Sequence, residues 1–126
     1  MLEKDFAPYE PSLALKELGF DEPCFAFYNG KFIQSTEFDF DSYNSIDVGH
    51  HPLAPTFSQA FRWFREKHNT HSFIIPLVDE MGFVHEYQVR IHIEESSVEI
   101  IGNFEIYEEA ELACLIKLIE IVKNKQ

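Results

Sequence analysis

The sequence predicts an α+β domain: a helix and a hairpin, then a helix, three antiparallel strands and a helix, with the helices packed on one face of an antiparallel sheet. Three observations carry this expectation. The 126 residues are 45% hydrophobic and 25% charged, and 15% are aromatic with 13 Phe, which suits a packed globular domain rather than a disordered chain. Residues 57–68 and 107–123 repeat apolar side chains at helical spacing. Between them, residues 86–93 alternate polar and apolar side chains with the period of a strand. The expected organisation is one domain over 1–126, with a helix-hairpin appendage at 1–35, a long loop at 36–55 and an αβββα core at 56–126.

Residues 11–18 form the first expected helix, with Pro11 at its start and Gly19 placed to stop it. Residues 24–28 and 32–35 flank Asn29-Gly30, the strongest short hairpin signal, because a type I′ turn needs positive φ at both central positions. Residues 36–55 show no periodicity and are expected to be irregular. Thr56-Phe57-Ser58-Gln59 fits a capping box, and Phe57, Ala60, Phe61, Phe64 and His68 then follow one helical stripe. Residues 72–78 and 83–93 are expected strands joined near 79–82. Tyr87, Val89, Ile91 and Ile93 share one face of the second, and Glu86, Gln88, Arg90 and His92 the other. A third short strand is expected at 98–101, ended by Gly102-Asn103. In the last helix, Leu112, Leu115, Ile116, Ile119 and Val122 form a stripe that Ala113, Cys114, Leu118 and Ile121 widen, so it needs cover from the sheet or from a second chain. Glu108, Glu109 and Glu111 lie in its first turns and Lys123 in its last, matching the helix dipole.

The formal charge is −12, from 22 acidic against 10 basic residues, which opposes nonspecific grip on nucleic acid or an anionic membrane. The N-terminal residues carry charges and prolines where a secretory signal needs an apolar run, and no stretch is long enough to span a bilayer. Cys24 and Cys114 sit in apolar segments and read as buried, reduced thiols, so the expected compartment is the cytoplasm.

No motif assigns chemistry. His50, His51, His68, His71, His85 and His92 lack the spacing of a metal site, and no C-x-x-C is present. Asp39-x-Asp41 hints at a calcium loop, but Tyr43, Asn44 and His50 stand where the pattern wants an oxygen ligand, Gly and Glu. Neither a nucleophile motif nor a glycine-rich phosphate loop occurs. No catalytic residue, metal ligand or cofactor is therefore assigned. The basic concentration at Arg62, Arg65, Lys67 and His68 surrounds the single Trp63. Two readings stand open there. Trp63 is a covered structural side chain, or Trp63 with Arg62 and Lys67 forms a protein-binding surface, since Trp and Arg are common interface anchors.

The segments GFDEPCFAFYNGK at 19–31, LAPTFSQAFRWFREKH at 53–68 and YEEAELACLIKLIEIV at 107–122 resemble a group of small uncharacterised proteins found in Bacteroidetes bacteria, their phages and mobile elements. That resemblance implies an intracellular accessory protein and transfers no functional residue. Residues 56–122 also resemble the double-stranded RNA-binding domain in element order, with Ala110 and Ala113 in the last helix placed like that family's sheet-packing alanines. The family's phosphate-holding lysines are replaced here by Glu108, Glu109 and Glu111, so the resemblance implies a fold without RNA binding.

The leading expectation is a noncatalytic accessory or interaction module acting through protein contacts, as a homodimer or as a phage-encoded binder of a host protein. The alternative is an acidic nucleic-acid mimic that occupies a basic groove of its partner. A third is a small enzyme without a recognisable motif.

Overall fold

A computed structural model describes residues 3–35, 42–93 and 98–126. The fold is α+β, with four α-helices and two three-stranded antiparallel sheets among the described residues. The chain divides into two compact units, Met1–Ala60 and Phe61–Gln126.

In the first unit, a short 3-10 turn at Glu3–Asp5 precedes α1, Tyr9–Glu17. The helix begins two residues before the expected Pro11. Pro11 occupies its first turn, where amides have no intrahelical acceptor and a missing N–H costs nothing. Its end is as expected and has an identifiable bonding pattern. Gly19 adopts φ +99°, its N–H donates to Lys16 O at 3.0 Å, and the Phe20 N–H donates to Leu15 O at 2.9 Å. Those two bonds make a Schellman motif, which requires the left-handed conformation that glycine adopts without strain.

The hairpin forms from β1, Ala26–Asn29, and β2, Phe32–Ser35. Asn29 pairs with Phe32, so the two-residue loop is Gly30-Lys31 rather than Asn29-Gly30. Only Gly30 there has positive φ, at +63°. A glycine first and a negative-φ residue second is the type II′ pattern, which matches strand twist as well as type I′ does and leaves Asn29 in the ladder.

The expectation of an irregular 36–55 is corrected within the described part. A one-turn helix α2 runs Ser45–Val48, and β3, Leu53–Ala54, pairs antiparallel with β1. Asn44 caps α2 by accepting the Ile46 and Asp47 amides at 2.9 Å, and Asp47 accepts the Asn44 amide in return. One turn is too short to show a period, and a two-residue strand has no local signature; both exist through caps and pairing. Asp39 and Asp41, weighed as calcium ligands, lie outside the described residues.

The core of this unit gathers Phe6, Ala26, Tyr28 and Ala54, with Tyr9, Phe25 and Ile33 packed against it. The Ala7 carbonyl fastens the N-terminal segment. It accepts the Tyr28 hydroxyl at 2.8 Å and the Ser12 hydroxyl at 3.1 Å, while the Ala7 amide donates to Pro55 O.

Helix α3 runs Phe57–His68 as expected. Thr56 Oγ1 accepts the Gln59 amide, so half of the capping box is present. The reciprocal half is not: the Gln59 side chain donates to Pro23 O at 2.7 Å instead.

The second unit contains β4, Thr70–Val78, β5, Val84–Ile93, and β6, Val98–Phe104, in the order β4-β5-β6. The third strand is longer than expected. Gly102-Asn103 does not end it, because a bulge between Val89 and Arg90 in the pairing absorbs one residue and the ladder resumes to Phe104. Helix α4, Tyr107–Lys125, lies on this sheet, mainly against β5. Its buried residues are Ala110, Cys114, Leu115, Leu118, Ile119 and Val122. Ile116, expected in the apolar stripe, is exposed, because the covered arc is narrower than the apolar arc of the sequence.

Both cysteines are free and buried. Burial, reinforced by the nearby Glu22 charge and opposed by a Gln59 hydrogen bond, pushes the Cys24 thiol up to about 12. Burial, opposed by a hydrogen bond from Ser72, pushes Cys114 up to about 11. Thiolate is the reactive form, so both should react slowly with Ellman's reagent near the ordinary cysteine pKa of about 8.5. Denaturation should then release two titratable thiols; fast labelling of the native protein would contradict this placement.

Candidate functional site

The structure resolves the two readings of α3. Trp63 is 3% exposed, its indole edge-on to Phe64 at 5.1 Å and to the His68 ring at 4.8 Å. It is therefore a core side chain and is not available as an exposed anchor. Arg62 and Lys67 are exposed, but Trp63 does not join them on a surface. Lys67 instead borders an open depression of about 360 Å³, with Glu66, His68, Asn69, Val122 and Lys125. Burial, and then the charge of Lys125, hold the His68 imidazole below its ordinary pKa. Asn69 turns the chain out of α3 with φ +48°, a conformation that Asn tolerates better than most residues.

A different surface emerges on the sheet. The register sorts its side chains into two faces. Val89 and Ile91, both fully buried, face α4, and Ser72, paired with Ile91, shares their face. The opposite face carries Phe73, Ile75 and Leu77 from β4, Glu86, Gln88, Arg90 and His92 from β5, and Val98, Ile100 and Asn103 from β6. A polar chain runs across it: Arg90 Nε donates to Gln88 Oε1 at 2.6 Å, and Gln88 Nε2 donates to Asn103 Oδ1 at 3.2 Å. Phe73 and Ile100, which flank Arg90 in one row, are 48% and 61% exposed. The His71 and His92 rings meet at one end of this face, 6.4 Å apart.

The β4–β5 turn closes one end of this sheet and is held by a dense set of hydrogen bonds. The Asp79 amide donates to Phe83 O and the Gly82 amide to Asp79 O, which encloses Glu80-Met81-Gly82 with Gly82 at φ +87°. A three-residue loop with glycine at the left-handed position is a standard hairpin solution. Asp79 Oδ1 accepts the Met81 and Phe83 amides, both at 2.9 Å, and Oδ2 accepts the His85 Nε2 proton at 2.7 Å. The turn so fixed presents Met81 at 80% and Phe83 at 63% exposure, with Val78 and Val84 also exposed. Turns are ordinarily polar, so Met81 and Phe83 on either side of the turn glycine were the sequence signal for this surface.

Seven of the twelve exposed large hydrophobic residues described lie on this sheet and its turn: Phe73, Val78, Met81, Phe83, Val84, Val98 and Ile100. Single exposed apolar residues are ordinary; a concentration on one element is not. Among the described residues, no three His, Cys, Asp or Glu side chains gather in the way a metal ion needs. Among the described residues, no helix is long and apolar enough to cross a membrane. No family model, curated protein or solved structure matches this chain.

Trp63→Ala should cost about 3–5 kcal/mol, as for a buried Trp, whereas Arg62→Ala and Lys67→Ala should each stay within about 0.5 kcal/mol. Urea denaturation of the three variants checks the order.

The hydrogen bonds from Phe83 and His85, with those from Met81 and Gly82, hold the Asp79 carboxyl below the ordinary aspartate range. The folded value lies below the unfolded one, so this contribution is present above about pH 3.9 and is lost as pH falls through the depressed value. The Met81 and Phe83 amide resonances should titrate in NMR with a midpoint below that of an ordinary Asp. Asp79→Ala should abolish that titration.

Proposed function

We propose that this protein is a noncatalytic interaction module that engages a protein partner through the open face of the β4–β5–β6 sheet and the apolar turn that extends it. The observation that carries this reading is the Asp79-braced turn, which holds Met81 and Phe83 outward in a fixed conformation. Exposing large apolar groups forgoes about 1.5–3 kcal/mol each relative to burial, and a rigid turn loses little entropy when they are covered. The fitting partner is a protein surface with an apolar groove that admits these two side chains. Nucleic acid is disfavoured as a partner: the net charge is −12, and the first turn of α4 presents Glu108 and Glu109 where phosphate contacts need cations. Both thiols are kept protonated by burial, which suits a chain that does not use them as nucleophiles.

The test is site-specific photocrosslinking in producing cells, with a benzoylphenylalanine at position 83 and, as a control, at Phe32, which is also exposed but lies on β2. A discrete adduct from position 83, absent from position 32 and lost on Met81→Asp, is the expected result. Equal labelling from both positions, or none from position 83, would overturn the reading. Met81→Asp and Phe83→Asp should shift stability by no more than about 0.5 kcal/mol, because neither side chain is buried; thermal melts check that the loss of adduct is not loss of fold.

A further inference from the structure

We infer that the open face of the β4–β5–β6 sheet receives a second copy of this chain, the two sheets stacked face to face with their central strands antiparallel. This rests on the reading of the sheet as an interaction surface and names the occupant of its flat part.

The argument begins with the order of rows across the face. Phe73, Arg90 and Ile100 make one row, Ile75, Gln88 and Asn103 the next, and Leu77 and Glu86 the third. Charge is therefore placed evenly about Gln88, a cation one row to one side and an anion one row to the other. The β4 strip beside them is apolar in all three rows. Side chains two residues apart on a strand are separated by about 7 Å, so Arg90 and Glu86 stand about 14 Å apart within one copy, too far to pair. Among the described residues neither has an oppositely charged partner. Gln88 holds the Arg90 guanidinium on this face and is itself held by Asn103.

A two-fold axis lying between two such faces, across the strands at Gln88, reverses the order of rows in the second copy. Arg90 of each copy then lies over Glu86 of the other. Phe73 lies over Leu77 of the other, and Ile75 over its own equivalent. Sheets stack about 10 Å apart, a gap that Arg and Glu side chains together span. The interface is self-complementary, as a two-fold contact requires. The other face-to-face stack, with central strands parallel, sets Arg90 on Arg90 and Glu86 on Glu86 and is repulsive. The charge pattern thus selects one geometry. Each copy carries −12, and that long-range repulsion is screened beyond about 8 Å at an ionic strength of about 0.15 M, while groups in contact keep their attraction. The two apolar turns fall at opposite ends of such a pair.

Analytical ultracentrifugation at about 0.15 M ionic strength, over micromolar to millimolar protein, tests this. The parent chain should self-associate to a dimer. Glu86→Arg and Arg90→Glu should each raise the dimer dissociation constant at least about tenfold, since like charges then face each other. The chain carrying both exchanges should dimerise as the parent does, and an equimolar mixture of the two single variants should form a mixed dimer. Phe73→Lys, which leaves both charges in place, should also weaken association, and thermal melts confirm that each variant is folded. A monomer at every concentration, or a dimer indifferent to both single exchanges and to Phe73→Lys, overturns the inference. If the chain stays monomeric while position 83 still yields its specific adduct, the second copy is excluded and the interaction-module reading stands. A dimer responding as stated, without that adduct, has the opposite meaning.

Discussion

The C-terminal unit depends on where α4 places its apolar side chains. Ala110, Cys114, Leu118 and Val122 recur every fourth residue and are buried, with Leu115 and Ile119 beside them. Fully burying a Leu, Ile or Val stabilises by about 1.5–3 kcal/mol, so four such residues on one helix rival the roughly 5–15 kcal/mol that separates a whole domain from its unfolded chain. The sheet answers with Val89 and Ile91 on the side that faces the helix, both fully buried. One helix covers one face of a three-stranded sheet. The arrangement that stabilises the unit therefore also leaves its other face open.

That open face is not simply polar, as a solvated sheet would be. Its central strand follows the polar half of the β5 alternation, but its flanking strands contribute Phe73, Ile75, Leu77, Val98 and Ile100. The hydrogen-bonded row from Arg90 through Gln88 to Asn103 orders the polar centre. Long charged side chains on such a face ordinarily keep their rotamer freedom; here part of that entropy is already lost before any partner arrives. The Asp79 turn follows the same logic at smaller scale. Three hydrogen bonds to one carboxylate hold a loop whose outward side chains are apolar. Structure is invested in surfaces where solvation alone would not require it.

The N-terminal unit shows a different economy of means. Its sheet is small, and β3 contributes only Leu53–Ala54. What joins it is backbone and hydroxyl bonding around Ala7, whose carbonyl accepts both Tyr28 and Ser12 and whose amide reaches Pro55. Ser12 is buried yet satisfied, and among the described residues no buried side-chain nitrogen or oxygen lacks a partner. A sheet with so few ladder bonds is held by such links as much as by its strands.

The sequence by itself determined the elements with long periods or strong punctuation. The 3.6-residue stripes of α3 and α4, the alternation along β5, the glycine stop after α1 and the hairpin near Gly30 are local properties, set by side-chain spacing and by which residues tolerate positive φ. Where local signals were short, the tertiary structure decided. It created β3 by pairing with β1, carried β6 through Gly102-Asn103 by a bulge, and moved the hairpin loop by one residue. It also decided burial wherever an apolar arc exceeded the available cover. Trp63, off the main stripe, is inside, and Ile116, on its stripe, is outside. Periodicity states which residues share a face of one element. Only the packing of elements against each other states how wide a face is covered and which is left to water, and the candidate surface of this protein is such an uncovered remainder.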